Sequence, residues 1–431
     1  MSASSKHLVA IVGGAVSGSV AASSLIDKGH TVVVIEQNSR PFGKIEDGLP
    51  KWHKKQREQE YAKINDRLNH PNIFFVPKTK LGKDISFDDL SNNLNFSAII
   101  LAIGASKDRP INLAGADNLE KDALVYQNDF IYWFNHQDEV DYTIDIKDGV
   151  TIIGGGLASL DVAKACQIEL FRNAIPDSLK NKIDVEEIET QGIPKICEQH
   201  NINYDQLNIN GATILYRRTS KQMPLADIPD GANEEVVNKV QNVRGKILQK
   251  AMDKFLFNFH ELVSPRELII NNNQLEGIIL NKTELVDGKV QNSDEIISID
   301  TKQIISSIGS IPEPIEGIQM DGETYKIENE ENGIYDTEKG IFLAGNAVTG
   351  KGNIRDSMKH AEKVADYVIN SYLNPLDTVN GEKLANAVED YLQKKDGLSN
   401  EEFEKIISKV HDLQKRVDYH NNYNDWISAN S

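Results

Sequence analysis

The sequence predicts an α/β fold made of two Rossmann-like, three-layer nucleotide-binding domains and a short α-helical C-terminal extension. The prediction rests on a glycine-rich turn after an apolar run near the N-terminus and a second such turn in the middle of the chain. Each turn opens onto a segment with helical spacing. A strand, a glycine-rich turn and a helix N-terminus form a phosphate cradle, because unpaired amides and the helix dipole face the pyrophosphate.

The first glycine-rich turn follows the apolar run 8–12 and is followed by an acid at the end of the next apolar run. The turn consists of Gly13, Gly14, Ala15, Val16, Ser17 and Gly18. The acid is Glu36, whose carboxylate suits the ribose of FAD or NAD and repels a 2′-phosphate. Ala15 takes the place of the middle glycine, so its methyl group is expected to shift the cradle slightly.

The second glycine-rich turn leads, much later in the chain, to a pair of arginines. The turn and the start of its helix include Gly154, Gly156, Leu157, Ala158 and Ser159. Arg217 and Arg218 end a later apolar run, beyond a polar insertion at about 171–210 that we expect to be helical. Their cationic side chains attract a 2′-phosphate, which suits NADPH. The opposite charges after the two turns therefore predict a flavoprotein that takes hydride from NADPH.

Composition narrows the class of protein. The 431 residues include 47 Lys and Arg against 65 Asp and Glu, a net charge of −18, which makes nonspecific binding to nucleic acid unfavourable. The two cysteines, Cys166 and Cys197, form no CxxC pair, and no metal-ligand spacing stands out. No apolar run reaches the roughly 18 residues of a membrane span, and no signal peptide precedes the first strand. We therefore expect a cytoplasmic enzyme with no metal site.

Over roughly residues 8–372, the chain resembles the adrenodoxin reductase and ferredoxin–NADP⁺ reductase family, with a second likeness to the small subunit of glutamate synthase. The likeness is carried by the two turns, Glu36, the arginine pair and the segments 129–135 and 345–354. It implies an FAD-binding domain of residues 1–107 and 330–375, with an NADP-binding domain of residues 108–329 inserted into it. Residues 376–431 would form the helical extension.

The resemblance also implies which residues contact the cofactors. Besides the two turns, Glu36 and the arginines, the implied set is Gln37, Gly43, Lys44, His53, Ala102, Gly104, Gly345, Asn346, Gly352, Asn353 and Ile354. His53 follows Gly48 by five residues, the spacing of a family histidine near the flavin, so it is the predicted catalytic residue. The alternative is a surface histidine in a basic loop. Asn346 replaces the usual Asp, and Lys351 and Asn353 depart from the family's usual loop.

The resemblance implies that electrons pass from NADPH through FAD to a separate partner, because the chain has no cluster of its own. A ferredoxin or similar small carrier is the first choice, although the net charge would require a local basic patch, at 51–57 or at Arg244, Lys246 and Lys250. Three alternatives stay open: an electron-input subunit like that of glutamate synthase, a reductase of a small molecule such as a quinone, and a non-enzymatic nucleotide sensor. The oligomeric state is not predicted.

The C-terminal extension is predicted to hold two charged helices separated at residues 396–398. Ser399 and Glu402 have the spacing of a capping box for the second helix. That helix carries an apolar stripe, which is typical of core packing and less often of a partner site. The stripe consists of Phe403, Ile406, Ile407, Val410, Leu413 and Val417.

Overall fold

A computed structural model of the protein describes residues 7–350, 352–373 and 397–431. Lys351 and the first predicted C-terminal helix lie outside the described residues. The chain divides into two compact units, the first made of Met1–Leu49, Lys54–Lys107 and Ser310–Ser431 and the second of Pro50–His53 and Asp108–Gly309. The division differs from the sequence-based boundary at 329, since Ile318 and Tyr325 are buried in an apolar cluster of the first unit.

The strands follow one another along the whole of the two units. They are β1 (Leu8–Val12), β2 (Thr31–Ile35), β3 (Ile73–Val76), β4 (Ala98–Leu101), β5 (Lys107–Asp108), β6 (Leu124–Tyr126), β7 (Thr151–Gly154), β8 (Thr213–Tyr216), β9 (Asn258–Glu261), β10 (Val263–Asn271), β11 (Gln274–Val286), β12 (Lys289–Asp300), β13 (Ile304–Ser307), β14 (Ser310–Ile311), β15 (Met320–Asp321), β16 (Thr324–Tyr325), β17 (Ile334–Asp336) and β18 (Ile341–Leu343).

The helices alternate with the strands of the two parallel sheets. They are α1 (Val16–Asp27), α2 (Lys44–Asp47), α3 (Lys54–Leu68), α4 (Gln127–Asn135), α5 (Leu157–Ala174), α6 (Asp177–Lys180), α7 (Val185–Gln191), α8 (Ile193–His200), α9 (Glu234–Phe255), α10 (Asn346–Thr349) and α11 (Ile354–Tyr367), followed by the C-terminal helices Asn400–Arg416 and Tyr423–Ala429. Short 3₁₀ helices occur at Lys51–His53, Ala116–Asn118, Tyr204–Leu207 and Ser220–Gln222, and π-helical turns at Asp89–Asn93 and Val368–Leu373.

The first unit is built around the sheet β17-β18-β4-β1-β2-β3, which is parallel except for β17. All five residues of β1 are buried, as expected for a strand whose two sides are both covered. Helices α1, α3 and α11 pack on one side, and the helix Asn400–Arg416 belongs to the apolar cluster on the other. The unit therefore has the predicted three layers.

The second unit contains the parallel sheet β6-β13-β7-β8-β9. Helices α4, α5 and α9 share an apolar cluster on one side of it. The antiparallel sheet β10-β11-β12 packs on the other side, so the third layer of this unit is a second sheet. Sequence analysis missed β12 because its alternation is largely polar: it pairs only with β11, and its side chains are exposed or half-buried.

The C-terminal helix and the insertion agree with their predictions. Ser399 and Glu402 form both hydrogen bonds of a capping box at the start of Asn400–Arg416. Four stripe residues of this helix, Ile406, Ile407, Val410 and Leu413, are buried in the core, and Phe403 packs beside them. The insertion folds into the end of α5 and the helices α6, α7 and α8. In the part of the chain that the structure describes, no helix combines the length and the apolar character needed to cross a membrane.

Candidate nucleotide-binding sites

The first glycine-rich turn is closely packed and requires its glycines. Gly13 has a φ of +94°, and a Cβ atom there would lie 2.5 Å from the carbonyl oxygen of Ala102. A Cβ atom at Gly18 would overlap the carbonyl oxygen of Gly13 itself. Helix α1 begins directly after the turn, and no described side chain caps it. Its first amides therefore point out of the helix without intrahelical acceptors, as a phosphate site requires.

Ala15 is accommodated by a glycine that faces it. Gly43 has a φ of +48°, and a Cβ atom built there would lie 3.1 Å from the Cβ atom of Ala15. The space that a side chain at position 43 would share is therefore left to the methyl group of Ala15. The two residues form a small pair, which explains how the turn keeps its backbone path although the middle glycine is absent.

Glu36 is folded back onto the first turn. Its Oε2 accepts a hydrogen bond of 2.8 Å from the amide of Gly14, and its Oε1 accepts one of 2.9 Å from the amide of Asn38. The residue is only 3% exposed. Burial raises the pKa of the Glu36 carboxyl to about 7, although the backbone hydrogen bonds from Asn38, Gly14 and Gln37 oppose the shift. The carboxyl group is thus positioned and partly neutral at physiological pH.

The segment after β18 meets the first turn within the same unit. Gly345 has a φ of +76°, and a Cβ atom there would overlap the hydroxyl of Ser17. The buried Oδ1 of the adjacent Asn346 has no hydrogen-bond partner in the described chain. The amide of Gly345 donates to Nδ1 of His360, 2.9 Å away, and Nε2 of that ring contacts the carbonyl of Glu330. Such an orphaned acceptor fits a hydroxyl group of a bound flavin nucleotide.

The other residues predicted for the flavin site have varied surroundings. Gly104 has a φ of +66° with open space where a Cβ atom would point, and Gln37 is exposed. Lys44 is exposed and donates to the hydroxyl of Ser310. Asn353 caps helix α11 by accepting from the amide of Asp356. Gly352 is exposed and Ile354 is half-buried. Their contacts with FAD stay a prediction.

The second glycine-rich turn has a closed side and an open side. A Cβ atom at Gly154 would overlap the carbonyl oxygen of Ser307, and one at Gly155 would overlap the ring of Tyr216. Nothing lies within 4 Å of the position of a Cβ atom at Gly156. Helix α5 starts there without a side-chain cap among the described residues, and its first two residues, Leu157 and Ala158, are exposed. Gly156 is therefore open to a ligand at the N-terminus of α5.

The buried part of this turn is held by a pair of serines. The hydroxyl of Ser159 donates to the hydroxyl of Ser307, 2.9 Å away, and it lies 3.1 Å from the carbonyl of the same residue. The predicted contact residue Ser159 is fully buried. Its side chain therefore joins α5 to β13 and supports the turn from behind.

Three arginines surround the end of β8. Arg217 is exposed, and the buried Nε of the half-buried Arg218 has no hydrogen-bond partner in the described chain. Arg244 is fixed by two hydrogen bonds from Nε and Nη2 to the carbonyl of Ala226. Burial raises the pKa of the Tyr216 hydroxyl, and the charges of all three arginines oppose that shift. Their positive potential, close to the open turn, is suited to a phosphate group.

His53 lies in the second unit, together with its neighbours 50–52. Its Nε2 is 3.6 Å from Oδ2 of Asp161, a residue of α5, and the side chain of Asp161 also binds Lys164. Trp52 makes an edge contact with Phe134, their ring centroids 5.2 Å apart. These contacts explain why this short segment belongs to the second unit. The predicted role of His53 beside the flavin is a separate question that they leave as a prediction.

Sequence reasoning missed several residues of the two sites. Asp161 lies one helical turn after Leu157, which places it near the start of α5, but its pairing with His53 had no local signal. Tyr216 immediately precedes the arginines, and its ring against Gly155 could have been suspected from that position. Ser307 and His360 come from distant parts of the chain and act through the backbone, so spacing alone gave no indication of either.

Comparison with known proteins agrees with this geometry. Residues 7–174 match the family described as pyridine nucleotide-disulphide oxidoreductase. The chain is 22% identical over 395 residues to a probable mitochondrial NADPH:adrenodoxin oxidoreductase of Dictyostelium discoideum, covering 80% of this chain and 75% of the relative. It is 31% identical over 163 residues to a glutamate synthase [NADPH] small chain of Mycobacterium tuberculosis, a match to 36% of this chain and 32% of that one.

A third relative has a solved structure. NADPH-ferredoxin reductase FprA of Mycobacterium tuberculosis is 26% identical over 363 residues, 75% of each chain. Its structure in complex with NADPH superimposes with a TM-score of 0.69, at 21% identity, covering 95% of this chain and 91% of FprA. The shared fold is the two-domain dinucleotide-binding architecture predicted from the sequence. The chain is a flavoprotein oxidoreductase similar to the adrenodoxin reductases and ferredoxin–NADP⁺ reductases, with a shorter likeness to the glutamate synthase small chain.

Proposed function

We propose that this protein passes electrons from NADPH through FAD to a separate ferredoxin-type protein. The chain is an NADPH-dependent flavoprotein reductase, and its cofactors are FAD and NADPH; the identity of the electron acceptor is the finer part of the proposal. The observation that carries it is the contrast between the two turns, one followed by the buried Glu36 and the other by Arg217 and Arg218.

The residues of the first unit fit the flavin nucleotide. The uncapped start of α1 offers amides to the pyrophosphate, and Glu36 offers carboxylate oxygens to the ribose. Asn346 adds an unpaired buried acceptor for a hydroxyl. These groups bind and orient, while the redox chemistry itself, hydride transfer and storage of one or two electrons, is that of the cofactors.

The residues of the second unit fit NADPH. The open Gly156 and the start of α5 suit the pyrophosphate, and Arg217 and Arg218 suit the 2′-phosphate that distinguishes NADPH from NADH. His53, held near Asp161, is proposed to stabilise negative charge on the reduced flavin.

A separate acceptor is favoured over a disulfide within the chain. Cys166 and Cys197 are buried and free, and burial raises the pKa of both thiols, which opposes formation of the reactive thiolates. They are also the only cysteines in the sequence. Ferredoxin is proposed as the acceptor because the relatives that match most of this chain are named for ferredoxin or adrenodoxin.

The test is steady-state oxidation of NADPH with ferredoxin, a quinone and oxygen compared at equal flavin concentration. We expect ferredoxin to give the fastest turnover. Equal or faster turnover with the quinone and no ferredoxin would contradict the proposed acceptor and favour a small-molecule reductase. Copurification with a large amidotransferase-like partner would favour the electron-input subunit that the glutamate synthase match suggests. A colourless protein that binds no flavin would favour the nucleotide sensor.

A further inference from the structure

The C-terminal segment, residues 399–430, lies beyond the region of family resemblance and packs against the outer edge of the first sheet. Gln414 is 2% exposed, and its Nε2 donates to the carbonyl of Phe75 in the edge strand β3, 2.8 Å away. The rings of Tyr419 and Tyr423 both meet Phe75 edge-on, with centroids 5.8 and 5.1 Å apart. The segment is therefore an integrated part of the first unit.

The same segment contacts the loop that follows Glu36. The indole Nε1 of Trp426 donates to the carbonyl of Ser39 at 2.7 Å. The ammonium of Lys78 lies 5.2 Å from the centroid of the Trp426 ring, and the amide of Lys78 donates to the carbonyl of Asn38. Asn38 in turn donates its amide to Oε1 of Glu36. Trp426 is therefore two contacts away from the carboxylate predicted to bind the adenosine ribose.

A second set of contacts reaches the backbone of Glu36. Nη2 of Arg416 donates to the hydroxyl of Thr79 at 2.9 Å and lies 3.3 Å from the carbonyl of Lys78. The amide of Thr79 donates to the carbonyl of Glu36 at 2.8 Å. Tyr423 is close enough that the charge of Glu36 helps to raise the pKa of its hydroxyl, after burial and Tyr419. Two independent routes thus connect the segment to Glu36.

We propose that Trp426 and Arg416 are positioning residues for the adenosine half of FAD. By holding residues 37–39 and 78–79, the C-terminal segment keeps the Glu36 carboxyl aimed along the first turn. This inference rests on the proposed function, since it assumes that the first turn binds FAD. It gives the C-terminal helix a role in cofactor retention that neither its apolar stripe nor its capping box reveals.

The test uses the full-length protein freed of flavin and titrated with FAD, and with ADP as a probe of the adenosine half alone. Trp426→Phe keeps an aromatic ring beside Tyr419 and Lys78 but removes the N–H group that reaches Ser39. We expect both FAD and ADP to bind about fivefold more weakly, the effect of one lost hydrogen bond. Lys78→Gln, which removes the cation from the ring of Trp426, is expected to weaken both in the same direction.

The matched control is Ser399→Ala, which breaks the capping box at the far end of the same segment without touching Ser39, Lys78 or Thr79. Its FAD affinity should equal that of the parent although its helix is destabilised. Binding of 2′,5′-ADP to the second unit should be unchanged in all variants. Equal weakening of FAD binding by Ser399→Ala and Trp426→Phe, or unchanged binding in Trp426→Phe and Lys78→Gln, would overturn the inference. A parent protein that binds no FAD would instead overturn the proposed function.

Discussion

The two glycine-rich turns differ in how the charged residue beside each is held. At the first, Glu36 is buried and already hydrogen-bonded to the turn through Gly14. At the second, Arg217 is exposed and Gly156 borders open space. A buried, preorganised group suits a resident cofactor, because little ordering is left to be done on binding. Exposed arginines suit a nucleotide that must bind and leave in every turnover.

The difference is also energetic. Burial raises the pKa of Glu36 to about 7, so ionisation of this carboxyl is unfavourable in the flavin-free protein near neutral pH. Ribose hydroxyl groups would donate to the carboxylate and favour its charged form. The first site is therefore strained in a way that its ligand relieves, whereas the solvated Arg217 carries no such strain.

The largest effect is expected from a methyl group in the first turn. Gly18→Ala would place its Cβ atom on the carbonyl oxygen of Gly13, so the turn must open and the protein should lose its flavin and much of its thermal stability. Gly156→Ala is the matched control in the second turn, where the methyl group meets nothing. It should fold normally and only raise KM for NADPH. Thermal unfolding and the flavin absorbance measure both, and a stable, yellow Gly18→Ala protein would contradict the packing described here.

The second effect concerns the choice of nicotinamide nucleotide. Replacing Arg217 and Arg218 by Ala removes charge-assisted hydrogen bonds to the 2′-phosphate, each worth about 1.5–3 kcal/mol. We expect kcat/KM for NADPH to fall about 100-fold, while that for NADH barely changes. Rising salt should reduce the difference, because Arg217 is exposed. An equal loss with both nucleotides would assign the arginines to a different phosphate or to folding.

The third effect is at Glu36 and depends on pH. Glu36→Ala should lower flavin affinity about tenfold at pH 8, the worth of one charge-assisted hydrogen bond. A raised carboxyl pKa means that the folded chain binds the proton more tightly than the unfolded chain. The flavin-free protein should therefore lose stability, on the order of 3 kcal/mol, as pH rises from about 4.5 to about 7.

Glu36→Gln supplies the control for this pH dependence, since an amide does not titrate. Denaturant unfolding of the flavin-free proteins between pH 4.5 and 8 measures the difference between the two curves. We expect the parent to become less stable relative to Glu36→Gln as pH rises. Parallel curves would show that the buried carboxyl group ionises without cost.

The smallest effect is expected at His53. His53→Ala should slow reduction of the acceptor about fivefold, the worth of one hydrogen-bonded contact, and slow flavin reduction by NADPH less. Asp161→Asn keeps the size of its partner but removes the charge 3.6 Å from Nε2, and it should shift the pH profile of the same half-reaction. Stopped-flow measurements separate the two steps. Unchanged rates and pH profiles would leave His53 as a surface residue in a basic segment.

The parts of the molecule that follow from local patterns were predictable, and those that depend on distant contacts were not. The two turns, strand β3 and the capping box at Ser399 were predicted at their positions, because glycine, apolar runs and caps act within a few residues. Strand β12 was missed because an exposed edge needs no apolar face. The pairing of Ala15 with Gly43 and the link from Trp426 to Ser39 join segments that only the fold brings together.

The most direct test of the account is nucleotide binding measured separately at the two turns. FAD and 2′,5′-ADP are each titrated calorimetrically into the flavin-free parent, Glu36→Ala and the protein in which Arg217 and Arg218 are Ala. We expect Glu36→Ala to lose affinity for FAD alone and the double arginine variant to lose affinity for 2′,5′-ADP alone. Loss of both ligands in either variant, or the reverse pattern, would contradict the assignment of FAD to the first turn and NADPH to the second.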